Sequence, residues 1–146
     1  MGEQATLELL EFREKHVQLK KQWELLYESL TGVASKPLTF TELNLPAFEL
    51  DPSGYRFTCA FTEITLFCEF QQFYTDGILR FGYQARNRDG QVQDVVTDRI
   101  FFDTAGNVAL TKDGLQDGSR ISGSTALSIV MPRLSNALKS YMDKLI

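Results

Sequence analysis

LFCEFQQFYTDGILRFGYQARNRDGQVQDVVTDRIFF, residues 66–102, alternates apolar and polar side chains through stretches parted by Asp76-Gly77 and Asp89-Gly90. Alternation with a period of two marks a half-buried strand, and Asp-Gly between such runs is a strong hairpin signal. Read as two-residue loops, these turns place Phe70 opposite Tyr83, Cys68 opposite Ala85, Tyr83 opposite Val96 and Leu79 opposite Ile100. Thr104-Ala105-Gly106 reads as a third turn of three residues, pairing Phe102 with Val108 and Ile100 with Leu110. Leu66, Phe81, Ile100 and Leu110 then share one apolar face, and a slip of one residue in any hairpin would scatter them. The pattern predicts an α+β fold: a four- to five-stranded antiparallel meander with a long N-terminal amphipathic helix and a C-terminal helix packed on it.

Upstream, Phe57, Cys59 and Phe61 alternate on odd numbers, whereas Ile64, Leu66, Cys68 and Phe70 alternate on even ones. A bulge at Thr62-Glu63 returns both sets to one face. It is preferred to a tight turn because Thr-Glu is poor turn chemistry. On one continuous strand Cys59 and Cys68 lie roughly 30 Å apart, too far to bridge. Residues 36–54 read as connector, with a possible edge strand at 38–41 and a turn at Asp51-Pro-Ser-Gly54.

The N-terminal flank, residues 6–30, carries a heptad pattern. Leu9, His16, Trp23 and Leu30 take one seam position, and Ala5, Phe12, Leu19 and Leu26 the other. Thr31-Gly32 is the expected stop. Such a helix can pack on its own sheet or on a second copy, and the spacing does not choose. Residues 112–124 hold three glycines and no period, which predicts a mobile loop. A closing helix starts near residue 124, with an apolar stripe through Leu127, Val130, Leu134, Leu138 and Tyr141; Pro132 either kinks it or begins it. The whole, residues 1–146, reads as one domain: helix over 1–32, meander over 55–112, closing helix over 124–146.

Composition narrows the function. The 146 residues are 43% hydrophobic and 23% charged, ordinary for a globular domain with a real core. A net charge of −4 argues against nucleic acid as a partner. No apolar run approaches the roughly 20 residues that span a bilayer, and the start lacks the layout of a signal peptide. Gly2 with Thr6 matches the loose myristoylation pattern, but no basic cluster supplies a second membrane signal. Two apolar-face thiols fit a reducing, cytoplasmic setting.

No residue set stands out as catalytic. The single histidine, His16, has no Cys/His cluster around it, so no metal site or cofactor is expected. Ser119, Ser122 and Ser124 have no base in view. The register places Asp94 and Asp98 on the apolar face about 13 Å apart, beyond the reach of a paired-carboxylate mechanism. Asp98 is expected to pair with Lys112 across the sheet rim. Together with Phe57, Phe61, Phe81 and Tyr83, the two acids are the candidates to line a ligand pocket between sheet and helix. The opposite face carries Arg80, Arg86, Arg88 and Arg99 among Phe67, Phe73, Val95 and Phe101, a mixture suited to protein recognition. The interface candidates are therefore Leu9, Phe12, His16, Leu19 and Trp23 on the helix, with Phe67, Arg80, Arg86, Arg99 and Phe101 on the sheet.

Trp23-Glu-Leu-Leu-Tyr-Glu-Ser-Leu-Thr-Gly32 followed by Tyr55-Arg-Phe-Thr-Cys59 resembles the junction from coiled coil to globular module in RWD-like domains of kinetochore and monopolin proteins. The resemblance covers about a third of the chain. It implies a dimeric protein-docking module without catalysis. Three functions compete: a non-enzymatic, homodimeric interaction module; a small-molecule binder or cavity enzyme with an apolar cup; and an acidic inhibitor of a basic partner, hinted at by Glu8, Glu11 and Glu14.

Overall fold

The computed structural model describes residues 2–34, 48–61, 63–121 and 125–146. Helix α1 spans Gly2–Ala34, and strands follow at β1 Phe48–Leu50, β2 Arg56–Ala60, β3 Thr65–Phe73, β4 Asp76–Arg86, β5 Val92–Phe102 and β6 Val108–Ala109. Helices α2, Lys112–Asp117, and α3, Ala126–Asp143, complete the chain. The fold is α+β, and all neighbouring strands pair antiparallel in the order β1-β2-β3-β4-β5-β6. Among the described residues the meander thus has six strands: β1 lies in the stretch read as connector, and the segment read as one strand across residue 62 is two, β2 and β3, while the edge strand expected at 38–41 falls outside the described residues. Asp51-Pro-Ser-Gly54 does turn: the Gly54 amide donates to the Asp51 carbonyl at 3.0 Å, and Gly54 sits at φ 79°.

The parity change near residue 62 is a reversal of the chain, not a bulge. Ala60 pairs with Thr65, and the Phe61 amide donates to Ile64 at 2.8 Å. Both solutions restore the apolar residues to one face, so alternation alone could not separate them. The reversal also corrects the cysteine geometry. Cys59 pairs with Leu66 and Phe57 with Cys68, which makes the two cysteines diagonal neighbours on adjacent strands. Such neighbours lie about 7–8 Å apart, still outside relaxed disulfide geometry.

Two hairpin registers also differ from expectation. The β3–β4 turn is Tyr74-Thr75, with Tyr74 at φ 55°, and Phe70 pairs with Leu79 rather than Tyr83. Asp76 and Gly77 are in the strand, where Gly77 is needed: a Cβ there would lie 2.2 Å from the Phe102 ring. The offset is even, so every side chain keeps its face. Between β4 and β5 the loop is Asn87–Gln91, tied by the Asn87 side chain to the amides of Asp89 and Gln91. Leu79 pairs with Ile100 as expected, but Tyr83 pairs with Val95, because Thr97 is an extra, unpaired residue opposite Phe81-Gly82. This bulge turns Val95 inward and Asp94 outward. Phe102 pairs with Val108 as expected, but β6 ends at Ala109 and Leu110 is exposed.

Both long helices cover one face of the sheet. Leu19, Trp23 and Leu30 from α1, with Ile129, Val130, Leu134 and Ala137 from α3, pack on Phe57, Leu66, Cys68, Phe70, Leu79, Phe81, Tyr83 and Ile100. Trp23 stacks on Phe57 at 5.4 Å and donates its indole N–H to the Gly54 carbonyl at 2.7 Å. Helix α1 runs through Gly32 to Ala34, with the Thr31 hydroxyl donating to the Tyr27 carbonyl, so the expected stop does not form. The glycine-bearing stretch read as loop contains α2, started by Thr111, whose hydroxyl accepts from the Gly114 amide. Helix α3 begins with a reciprocal Thr125–Ser128 cap and holds Pro132 inside it.

Candidate protein-docking surface

The heptad seam of α1 divides into two halves with different surroundings. From Leu19 onward it is buried on the sheet, while residues 2–14 are exposed on every side. The division falls at His16. Its Nδ1 lies 2.8 Å from the Gln72 side-chain oxygen and its Nε2 lies 2.8 Å from the Tyr55 hydroxyl. The Gln72 amide donates to the carbonyls of Phe12 and Tyr74. Because that amide nitrogen is the donor, its oxygen accepts, so His16 donates from Nδ1 and, when neutral, accepts at Nε2. His16 is thus a satisfied junction group that ties the helix to the end of the β3–β4 hairpin. Beyond it, residues 2–11 project about 15 Å at 1.5 Å per residue. Leu9 is 71% exposed and Phe12 47%, although they continue the seam that buries Leu19 and Trp23. Leu7, Leu10 and Val17 are exposed as well.

The outer sheet face is less open than its composition suggests. Phe67 is fully buried there, its ring beneath the Arg56 guanidinium at 4.3 Å. Arg56 bridges Glu69 and Asp94, at 2.5 and 2.6 Å, and Arg80 reaches the other oxygen of Glu69 at 2.8 Å. The hydrogen bond from Arg56 holds the Asp94 carboxyl below its ordinary range, and Asp94 in turn raises the guanidinium's hold on its proton. Two of the sheet-face interface candidates, Phe67 and Arg80, are therefore engaged within the chain. Arg86 and Arg99 are exposed and Phe101 is half-buried.

On the helix-facing side, Phe57, Phe81 and Tyr83 are packed in the core. Asp98 faces Arg133 of α3, Nε to carboxylate 3.9 Å, so its nearest cation is not Lys112. Lys112 instead lies over the rings of Phe73 and Tyr74. The candidate pocket residues are not brought together: Asp94 is on the outer face, Asp98 is at α3, and Phe61 borders a small cleft of about 170 Å³. A larger cavity of about 530 Å³ lies elsewhere, between α1, α3 and the sheet, against Trp23, Leu26, Leu79, Phe102, Val108 and Ile129. Among the described residues, Gln22, Ser29 and Thr125 are its polar groups and no charged side chain lines it. It depends on where two helices cross the sheet, which no local pattern encodes.

Burial pushes the Cys59 thiol up to about 11 and raises that of Cys68 as well, which keeps both protonated and poor nucleophiles near neutrality. Among the described residues no group of three or more His, Cys, Asp or Glu side chains is placed to hold a metal ion. No helix among them is long and apolar enough to cross a membrane. Compared with known proteins, the chain matches no family model, no curated protein and no solved structure.

Proposed function

We propose that the protein is a non-enzymatic interaction module that docks through the projecting start of α1. The observation that carries this reading is the split seam: the stripe that buries Leu19 and Trp23 continues to Leu9 and Phe12, which stay 71% and 47% exposed. Contiguous exposed apolar surface rimmed by charge is characteristic of protein contact sites. The resemblance to RWD-like modules points the same way, and two buried thiols suit a reducing, cytoplasmic location. Deleting residues 2–11 tests the reading. The shortened chain should keep its melting temperature within about 2 °C, since surface changes stay near ±0.5 kcal/mol, while losing association in light scattering. A stability loss typical of core truncation would show that the segment serves the fold instead.

The cavity of about 530 Å³ supports a second reading, a binder of a small, neutral, apolar molecule. N-phenyl-1-naphthylamine should bind with enhanced fluorescence, and Ser29→Phe, which narrows the cavity from its exposed edge, should weaken the signal. Unchanged binding in that variant would reject this reading.

A further inference from the structure

We infer that the partner of α1 is a second copy of this chain, paired antiparallel along the solvent side of the helix. This rests on the docking role proposed for the start of α1 and names the occupant of its solvent side, around Leu7 and Leu10; Leu9 and Phe12, on the sheet-facing seam, lie outside this contact. The side of α1 turned away from the sheet carries its own heptad stripe at alternating steps of four and three: Glu3, Leu7, Leu10, Glu14, Val17 and Lys21. All six are exposed, Leu7 at 61%, Leu10 at 56% and Val17 at 64%. No residue of this stripe contributes to the domain's own core.

Charge decides the orientation. Over residues 3–14 the helix holds four glutamates and one arginine, whereas residues 15–21 hold three lysines and no acid. A parallel pair would set Glu3, Glu14 and Lys21 each against its own copy, a like-charge contact in every case. In an antiparallel pair with Leu7 beside Val17 of the partner subunit, Glu3 meets Lys21 of the partner subunit and Leu10 lies under the stem of Glu14 of the partner subunit. Twofold symmetry then repeats each contact, as an isologous interface requires. The overlap of residues 3–21 is about 28 Å long. The second helix approaches from the side opposite the sheet, so the contacts of Leu19 and Trp23 are untouched. The assembly becomes sheet, helix, helix, sheet.

The test uses the full-length chain. Light scattering from micromolar to millimolar concentration should show a monomer–dimer equilibrium. Lys21→Glu should weaken it at least tenfold, and Glu3→Lys added to Lys21→Glu should restore it. Disulfide trapping reads orientation: Leu7→Cys mixed with Val17→Cys should give a linked dimer, and Leu7→Cys alone should not. Within one helix the two positions are about 15 Å apart and cannot bridge. Linkage of Leu7→Cys alone would overturn the antiparallel pairing and leave the docking role standing. A monomer at every concentration would overturn the second copy as partner, while the deletion of residues 2–11 still decides whether the segment serves the fold.

Discussion

Leu19→Ala and Leu9→Ala change the same residue type within one apolar seam, and the structure assigns them opposite consequences. Leu19 is fully buried between α1 and the sheet, whereas Leu9 is 71% exposed. Removing a buried leucine side chain costs its transfer free energy plus the cavity left behind, about 3 kcal/mol. For a domain of this size that lowers the melting temperature by about 6–12 °C. Leu9→Ala removes little buried area and keeps a strong helix former, so its effect should stay within about 0.5 kcal/mol. Trp23 is the chain's single tryptophan and is buried against Phe57, which makes its fluorescence a reporter of exactly one environment during urea unfolding. Both variants should keep the wild-type m-value and differ in midpoint. The measurement belongs at dilutions where light scattering reads monomer. Equal losses for both would refute the division of the seam at His16. A neutral Leu19→Ala would refute the packing of α1 on the sheet.

Gly82→Ala should cost about 2 kcal/mol or more, because the added Cβ would lie 1.9 Å from the Val95 carbonyl oxygen and 2.9 Å from the Phe67 ring; a melting shift under about 2 °C would show that the bulge relaxes freely. Asp94 has a folded pKa held below its unfolded value, so its bond to Arg56 contributes stability above about pH 4 that is lost as pH falls through the folded pKa. Asp94→Asn should therefore flatten the loss of urea resistance between neutral pH and about pH 3. Since Asp94 is 41% exposed, screening limits the effect to under about 1 kcal/mol, and parallel pH profiles would reject the linkage. Native protein at pH 8 should react with Ellman's reagent only on unfolding, because both thiols are buried and Cys59 is raised to about 11; full labelling within minutes would contradict that burial.

Much of the sheet was legible because alternation and burial are the same physical fact on a one-sided sheet. The pairings Leu79 with Ile100 and Phe102 with Val108 follow from turns and parity alone. The misplaced aspartate had a visible signal. Two carboxylates at apolar positions flanking the Val95-Val96 doublet suggest a change of parity between them, and the extra residue Thr97 supplies it. Parity could not tell a bulge from a reversal near residue 62, since both return the apolar residues to one face. The engagement of Arg80 was not legible because its acid, Glu69, comes from another strand, as does the Asp94 that meets Arg56.

The chain's own order of residues determined a meander with one apolar face and a long amphipathic helix beside it, because period two and period 3.5 are local properties of the backbone. Which half of that helix is covered is not local. The heptads continue unchanged from Leu9 to Leu30, but the sheet ends at the hairpin where Gln72 meets His16. Only the tertiary structure decides that Leu19 and Trp23 are core and that Leu9 and Phe12 are left for something else to cover, because burial depends on where a neighbouring element stops.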